Sequence, residues 1–288
     1  MKERRTRLLF GFSKWYSIQL DRRQDNLKNS TAIQSLYDSV AARWPRGLRA
    51  LRDDFIGTPV ATRIARKFAQ NGTIVDCGCG NGNVCRSLSR FANHVIGVDI
   101  SKKMLDEARS GWTSDKITYV QGRLDRLADV LKPESADLCL ALFSVCCMKD
   151  RPELHRTFLN MYKILKPKKH AIIQIPHPAD SFFRERSLWY KDIDRDATYF
   201  DRGAVVRRKL RTTGGEWLLV ARHHFPLADY FLALTSAGFI VKCLLEPVPS
   251  RQTIRRWPTL SREARFPSSV IFICQRDGRQ ASRRRKYG

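Results

Sequence analysis

A glycine-rich turn between two short apolar segments constrains this chain more than any other feature. The first segment, residues 73–75, is β-branched and runs into Asp76, and the turn that follows reads Cys-Gly-Cys-Gly-Asn-Gly. An apolar run of this kind is typical of a buried parallel strand. Glycine allows positive φ and lets the backbone approach a ligand closely. The sequence therefore predicts a buried strand that ends at a ligand-binding turn.

The next residues complete a strand–helix–strand unit. Residues 84–91 are compatible with a helix, and residues 94–98 form a second apolar strand that ends at Asp99. A carboxylate about 20 residues beyond the glycines is placed to accept hydrogen bonds from ribose hydroxyls. We therefore expect a ligand that contains a nucleoside. The glycine spacing is G-x-G-x-G, which matches poorly with the G-x-G-x-x-G of dinucleotide sites.

These two motifs resemble those of a known enzyme family. Residues 76–82, with the pattern acid-x-Gly-x-Gly-x-Gly, resemble motif I of the class I S-adenosylmethionine-dependent methyltransferases, and residues 95–101 resemble their second motif. The resemblance implies a Rossmann-like α/β fold: a mostly parallel seven-stranded sheet with an antiparallel last strand, helices on both faces and a lid insertion. It also implies S-adenosylmethionine as cofactor, with the glycines near its methionine part, Asp76 near its charged end and Asp99 on its ribose. The cofactor-binding residues expected in this stretch are Asp76, Gly78, Gly80, Gly82, Asp99 and Ile100.

Two further cofactor contacts are expected outside these motifs. Residues 30–44 are predicted to form a helix, and its Tyr37 resembles the tyrosine that many small-molecule methyltransferases fold over the cofactor; a plain core aromatic is the alternative. In the family, an acid after the third strand often accepts the adenine amino group, but here Arg123 stands at that position. Asp125 is the candidate replacement, and a solvated loop acid is the alternative.

The predicted fourth strand, residues 136–145, ends where ligands bind in open parallel sheets. Phe143 is therefore expected to contact the cofactor, with Ser144 beside it. The segment contains neither Asn/Asp-Pro-Pro-Tyr, which disfavours amino methylation of adenine or glutamine, nor Pro-Cys, which disfavours covalent catalysis on pyrimidines. The paired histidine often found here in small-molecule enzymes is replaced by Cys146-Cys147, which we interpret as packing residues.

Two histidines are candidate general bases, because imidazole is the side chain best matched to proton transfer near neutral pH. His177 follows the predicted fifth strand, residues 171–175, and a structural histidine between two prolines is the alternative. The turn before that strand, residues 165–170, resembles the family's Leu-Lys/Arg-Pro-Gly-Gly turn with both glycines replaced by lysine. His224 is either a base or a hinge residue of the lid.

Residues 179–225 are additional to the minimal sheet and are predicted to form a lid over the substrate. Aromatic residues and arginines are interleaved in them, and residues 203–210 and 216–223 alternate as two strands of a hairpin around Thr-Thr-Gly-Gly. Such a pocket would suit a planar or anionic acceptor. Across residues 30–276 the chain resembles the small-molecule branch of the family that includes ubiquinone- and menaquinone-biosynthesis-like enzymes. The resemblance is specific for fold and cofactor, and it is only suggestive for the substrate.

Basic residues are concentrated at both ends of the chain. The net charge is +25; residues 71–180 carry 16 basic and 12 acidic residues, whereas residues 181–288 carry 22 and 10. We expect a basic N-terminal arm over residues 1–29, a methyltransferase domain over residues 30–276 and a basic disordered tail over residues 277–288. Such flanks favour contact with RNA or another anionic surface, and a solvated tail is an equally good interpretation.

Cysteine usage and hydropathy indicate an intracellular protein. The eight cysteines show no C-x-x-C spacing, so no metal site is expected, and the thiols are typical of a reducing compartment. No apolar run reaches the roughly 18 residues needed to span a membrane, so no transmembrane segment is expected. We predict a cytoplasmic location. A mitochondrial presequence is only weakly supported, because the Arg-rich start also contains acidic residues.

Three functions fit these observations. The leading hypothesis is an enzyme that transfers a methyl group to an O, N or C atom of a small molecule by in-line displacement, in which the protein mainly aligns the reactants in a dry site. The second is an RNA or ribonucleoprotein methyltransferase that uses the basic flanks. The third is a catalytically silent relative that acts as an assembly or regulatory partner, because the adenine acid and the fourth-strand motif are altered.

Overall fold

The computed structural model describes residues 30–44, 56–111, 114–182, 191–192, 197–211 and 217–278. The predicted N-terminal arm, the turn of the predicted hairpin, and all but the first two residues of the predicted tail lie outside the described residues.

Seven strands form a central sheet, and three more form a smaller one. In chain order the strands are β1 (Thr73–Cys77), β2 (His94–Asp99), β3 (Ile117–Gln121), β4 (Ala136–Leu142), β5 (Leu165–Pro176), β6 (Lys191–Asp192), β7 (Val205–Arg211), β8 (Trp217–His223), β9 (Phe239–Leu245) and β10 (Ser269–Arg276). The central sheet has the order β3-β2-β1-β4-β5-β10-β9. β10 is antiparallel to both of its neighbours, and the other pairs are parallel. The predicted mostly parallel sheet with an antiparallel last strand is therefore confirmed.

Helices cover both faces of the central sheet, as predicted. Within the described residues the α-helices are α1 (Ser30–Val40), α2 (Gly57–Ala69), α3 (Asn83–Leu88), α4 (Lys102–Gly111), α5 (Arg151–Ile164), α6 (Leu227–Ser236) and α7 (Arg251–Arg256). Successive strand residues point to opposite faces, so Ile74 of β1 packs in the cluster with α2, α3 and α4, whereas Val75 packs in the cluster with α5 and α6. Burial on both sides explains why the central strands are continuous apolar runs.

The fourth strand is shorter than predicted. β4 ends at Leu142, and Phe143 adopts a left-handed φ of 60° before a 3-10 turn at Val145–Cys147. The Phe143 N–H donates to the carbonyl oxygen of Gln174 at 2.8 Å, which attaches the turn to β5. A left-handed backbone costs a residue with a Cβ about 1–2 kcal/mol, so packing around this turn has to outweigh that cost.

The predicted turn at residues 165–170 is part of β5. Leu165 pairs with Ala136 and His170 with Leu138, so β5 bulges by three extra residues against β4. Lys168, one of the two lysines at the family's glycine positions, adopts a φ of 64°, and its carbonyl oxygen accepts a hydrogen bond from the Gln275 side chain at 3.0 Å. The bend therefore forms without glycine, as an irregularity inside a strand.

The predicted hairpin is present as β7 and β8, with β6 paired to β7. One face of the hairpin packs against α1 and α4, where Leu218 and Val220 share a buried cluster with Val40 and Met104. α1 is also tied to the start of α4, because Asp38 accepts a hydrogen bond of 2.5 Å from the Ser101 hydroxyl. These contacts place α1 and the hairpin beside the carboxyl ends of the central strands.

Candidate active site

A cavity of about 280 Å³ opens at the carboxyl ends of β1, β2 and β4. Its wall combines the glycine turn, α1, the segment after β4, and the β7–β8 hairpin. The predicted cofactor-binding residues that line it are Tyr37, Asp76, Gly78, Gly80, Asp99, Ile100, Asp125 and Phe143. Three predicted residues do not line it: Gly82, His177 and His224.

The three glycines of the turn all have positive φ, but for different reasons. A Cβ on Gly78 would lie 2.3 Å from the Cβ of Ser144, and a Cβ on Gly82 would lie 2.3 Å from the hydroxyl of Tyr119. A Cβ on Gly80 would find no neighbouring atom within 4 Å. Close packing within the protein therefore requires Gly78 and Gly82, whereas Gly80 borders open space at the cavity. The approach to Tyr119 also explains why Gly82 is absent from the wall.

Asp99 holds the glycine turn in addition to facing the cavity. Its Oδ2 accepts a hydrogen bond from the Gly80 N–H at 2.8 Å, and its Oδ1 accepts one from the Ser101 N–H at 2.9 Å. Burial raises the pKa of Asp99, and the hydrogen bonds from these N–H groups oppose the shift. A carboxylate offers about four acceptor positions, and the backbone N–H of Ile100 also contributes a hydrogen bond, so at least one position remains for a hydroxyl donor such as that of a ribose.

Asp76 is a second buried carboxyl group, with 2% of its surface exposed. Burial raises the pKa of Asp76 to about 7; a hydrogen bond of 3.1 Å from the Cys85 thiol opposes the shift, and the nearby charge of Asp99 adds to it. Two neighbouring carboxyl groups that resist ionisation favour a positively charged ligand, because a cation stabilises both ionised forms.

The region expected to hold adenine is organised around Arg123. Its Nε donates to Asp125 at 3.0 Å, and its Nη2 donates to Glu153 at 2.8 Å. Asn160 fixes the same segment by donating to the carbonyl oxygen of Asp125 at 2.9 Å. The Asp125 carboxylate therefore lines the cavity already paired with Arg123. The sequence signal for this pairing was the arginine at the position of the usual acid, two residues before Asp125.

Tyr37 and the two cysteines after β4 lie together in the cavity wall. The Tyr37 hydroxyl is 3.6 Å from the Sγ of Cys147, and Cys146 lines the wall beside it. Burial raises the pKa of Tyr37 well above its usual range, so the hydroxyl stays protonated at neutral pH. The cysteines, interpreted from the sequence as packing residues, thus border the ligand space.

The two candidate bases are engaged by local contacts outside the cavity wall. The Nδ1 of His177 accepts a hydrogen bond from the Ala179 N–H at 3.2 Å, and its Nε2 lies 2.9 Å from the Oε1 of Glu246. His224 is fully buried, and its Nε2 donates to the carbonyl oxygen of Tyr199 at 2.8 Å. Burial lowers the pKa of His224. These contacts are consistent with a structural role for His177 between its two prolines and with a hinge role for His224 in the lid. The catalytic roles of both residues stay predictions.

Two arginines that the sequence analysis did not single out also line the cavity. They are Arg208 on β7 and Arg222 on β8. The alternation of side chains along a strand could have identified them, because residues two apart on a strand share a face. Val206 and Val220, each two positions from one of these arginines, line the same wall.

All eight cysteines are free thiols. Among the described residues, no group of three or more His, Cys, Asp or Glu side chains is arranged to hold a metal ion. Within the same part of the chain, no helix combines the length and apolar character needed to cross a membrane.

Comparison with known proteins identifies a methyltransferase domain in this chain. Residues 74–168 match the family model described as a methyltransferase domain. N-demethylindolmycin N-methyltransferase of Streptomyces griseus is 28% identical over 167 residues, which cover 58% of this chain and 68% of that protein. Ubiquinone biosynthesis O-methyltransferase of Vibrio cholerae serotype O1 is 29% identical over 103 residues, which cover 34% of this chain and 39% of that protein. The crystal structure of an S-adenosylmethionine-dependent methyltransferase from Mesorhizobium loti is 26% identical, with a TM-score of 0.60, and the match covers 80% of this chain and 100% of that one.

The sheet order and these matches show a Rossmann-like methyltransferase fold, and residues 74–168 form a methyltransferase domain. The chain is accordingly an enzyme, and S-adenosylmethionine is its cofactor, as predicted. The site fits this cofactor, because Gly80 leaves open space, Asp99 keeps an acceptor position for a hydroxyl group, and Asp76 offers a carboxylate to a positive charge. The roles of the individual residues stay predictions.

Proposed function

We propose that this enzyme methylates a small molecule that binds between the cofactor site and the β7–β8 hairpin. The observation that carries the proposal is the make-up of the cavity wall: α1 and the hairpin form it together with the ends of the central strands, around a space of about 280 Å³. Small-molecule sites have volumes of roughly 300–1,000 Å³ and bury most of the ligand. A concave site walled by α1 and the hairpin favours a small acceptor over the surface of a folded RNA or protein.

The names of the two curated relatives are consistent with a small acceptor. One is named for methylation of N-demethylindolmycin and the other for ubiquinone biosynthesis. We propose that this chain acts in the same small-molecule branch, which the hairpin and the motifs around it also favour. The proposal covers acceptors that are methylated on O, N or C.

The chain's own residues have three tasks in this reaction. S-adenosylmethionine, when bound, supplies an electrophilic methyl group on a sulfonium. Asp99 would hold the ribose and keep the glycine turn in place, and Asp76 would balance the positive charge of the cofactor. Tyr37, Phe143 and Cys147 would exclude water and align the acceptor atom with the methyl group. A base is needed only where the acceptor atom has to lose a proton.

The test begins with calorimetric titration of the full chain with S-adenosylmethionine. The same sample is then incubated with cofactor labelled in its methyl group and with fractionated cell extract. We expect cofactor binding and label in the small-molecule fraction. Label in RNA would contradict the proposal and support the RNA alternative, and binding without any transfer would support the catalytically silent alternative.

The matched control is the Asp99→Ala variant, purified and assayed in the same way. It keeps the hairpin and the charge distribution of the flanks, so it separates the activity of this site from that of a contaminating enzyme. With the cofactor kept below its native Kd, we expect the label in every fraction to fall about tenfold or more with this variant. Label at the native level would mean that the transfer does not come from this cavity.

A further inference from the structure

The carboxylate of Asp38 attaches α1 to the start of α4. Its Oδ1 accepts a hydrogen bond of 2.5 Å from the Ser101 hydroxyl and a longer one of 3.3 Å from the Lys103 N–H. Both donors lie at the N-terminus of α4, where the helix dipole favours a negative charge. Asp38 and Ser101 are 63 residues apart in the sequence, so the contact joins two separate parts of the chain.

Ser101 links this attachment to the carboxylate that is predicted to bind ribose. Ser101 is fully buried, and its N–H donates to the Oδ1 of Asp99 at 2.9 Å while its hydroxyl donates to Asp38. One buried residue therefore binds a carboxylate of α1 and a carboxylate of the cofactor site. The position of α1 is in this way tied to the position of Asp99.

The attachment also determines which side of α1 faces the cavity. Ile33 and Tyr37 are four residues apart, so they share one face of the helix, and both line the cavity. Asp38 follows Tyr37 directly and does not itself line the cavity. Because neighbouring helix residues differ by about 100° in direction, holding Asp38 at α4 holds Tyr37 towards the cavity, where its hydroxyl lies 3.6 Å from the Sγ of Cys147.

Helix capping alone does not account for the acid at this position. The Ser101 hydroxyl already accepts a hydrogen bond from the Met104 N–H at 3.1 Å, which is the contact that a capping serine makes. The other described contacts of α1 include the apolar packing of Val40 against Met104 and Leu218. Apolar packing has no preferred direction, whereas the hydrogen bond to Asp38 is directional and charge-assisted.

We propose that Asp38 is a positioning residue that keeps α1 closed over bound S-adenosylmethionine and thereby slows its release. The inference rests on the cofactor site of the proposed function and does not depend on the acceptor. While Asp38 binds Ser101, the cavity-facing side chains of α1 stay in place over the cofactor. Without this contact α1 moves away from the cavity more often, and the cofactor leaves faster.

The test measures the rate of cofactor release in the full chain. Stopped-flow mixing with S-adenosylmethionine, followed by tryptophan fluorescence, reports on the site because Trp44 lines the cavity. We expect Asp38→Ala to raise the dissociation rate about tenfold and to change the association rate much less. The dissociation rate is a property of the bound protein, so partial unfolding of the free variant does not imitate this result. An unchanged dissociation rate would overturn the inference.

Two further variants control for geometry and for charge. Asp38→Asn keeps a carbonyl oxygen that accepts hydrogen bonds, so it should restore part of the slow release; no recovery would overturn the hydrogen-bonded attachment. Asp106→Ala removes an exposed acid from α4, and its release rate should stay at the native value. Faster release in Asp106→Ala, equal to that in Asp38→Ala, would assign the effect to charge and overturn the inference.

A double-mutant cycle tests whether Asp38 acts through Ser101. Ser101→Ala removes the hydroxyl but keeps the N–H that binds Asp99. We expect this variant to release the cofactor faster than the native chain does, and Asp38→Ala should add little to it, because residues that share one contact have non-additive effects. Fully additive effects would contradict the link between the two residues.

The outcomes also separate this inference from the proposed function. A native chain that released the cofactor more slowly than Asp38→Ala but labelled no small molecule would contradict only the proposed function. A native chain that labelled a small molecule and released the cofactor as fast as Asp38→Ala would contradict only this inference. A native chain that bound no cofactor would contradict both.

Discussion

The two ends of the cavity are built in different ways. The motifs of the predicted cofactor end lie in one continuous stretch, residues 76–101, and its polar groups bind one another: the Asp99 carboxylate accepts hydrogen bonds from the N–H groups of Gly80 and Ser101. The proposed acceptor end comes from segments far apart in the sequence: the β7–β8 hairpin, with α1 and residues 143–147, which also carry the predicted cofactor contacts Tyr37 and Phe143. A local motif thus determines one end, and tertiary packing assembles the other.

This difference separates the chemistry of the enzyme from its choice of substrate. Function resides in sites that a fold carries, so one end of a site can change while the other stays constant. Substitutions in residues 76–101 should affect the cofactor first, and substitutions in the hairpin should affect the acceptor first. The predictions below test this division, and they are ordered by the size of the expected effect.

Substitution of a packed glycine in the turn should have the largest effect. In Gly78→Ala the new Cβ would lie 2.3 Å from the Cβ of Ser144, on a backbone with φ of 84°. We expect the free energy of unfolding to fall by about 3 kcal/mol, from the positive φ and the overpacking together. Urea denaturation measures this change.

Gly80→Ala is the matched control for that prediction, because its Cβ would find no neighbouring atom within 4 Å. It should cost only about 1 kcal/mol of stability, from its positive φ, while it weakens cofactor binding. Equal destabilisation by the two substitutions would contradict the distinction between a glycine required by packing and a glycine that borders the ligand.

Removal of the Asp99 carboxylate should have the second largest effect. Asp99→Ala should weaken S-adenosylmethionine binding by more than about tenfold, or about 1.4 kcal/mol, because hydrogen bonds to a charged group are lost. Calorimetric titration measures the affinity, and Asp106→Ala, which removes an exposed acid of α4, should leave it unchanged. An unchanged affinity in Asp99→Ala would overturn the assignment of this residue to the ribose.

Cofactor affinity should also increase as the pH rises through about 7. Asp76 has its pKa raised to about 7, and a cationic cofactor favours the ionised carboxylate, so binding below this pH releases a proton. We expect the affinity to rise about three- to tenfold between about pH 6 and 7.5. Asp76→Asn should remove the dependence, and a native affinity that did not change with pH would contradict the role of this carboxyl group.

The raised pKa of Asp76 has the opposite effect on the stability of the cofactor-free protein: rising pH strengthens cofactor binding but weakens the folded state. Asp76 has an ordinary pKa of 3.8 and a raised one in the folded state. Between about pH 4 and 7 the folded chain therefore binds more protons at this group than the unfolded chain does. Ionisation of Asp76 therefore lowers the free energy of unfolding as the pH rises from about 4 to 7. Bound cofactor should make this decrease in stability smaller.

Sequence inspection alone locates β1, β2 and the turn between them, whereas it does not locate the contacts made by the hairpin, for a physical reason. Apolar runs, strand-end acids and a glycine turn are local signals, so β1, β2 and the turn between them could be placed by inspection. The contact of Arg123 with Glu153 spans 30 residues, and the inward position of Arg208 depends on the hairpin register. Gly82 is predicted to bind the cofactor because its spacing fits the motif, and the close approach of Tyr119 is a second reason for glycine at this position.

Replacing His177 tests the acceptor end and should have the smallest effect. The imidazole lies outside the cavity wall and pairs with the half-exposed Glu246 at 2.9 Å, so His177→Gln should change stability by less than about 1 kcal/mol and leave turnover nearly unchanged. A general base contributes about 10²–10⁴-fold to the rate, and a loss of that size would make His177 a catalytic residue. Glu246→Gln is the control, because it removes the pairing and keeps the imidazole. Loss of turnover in His177→Gln but not in Glu246→Gln would move the acceptor site from the hairpin to the end of β5.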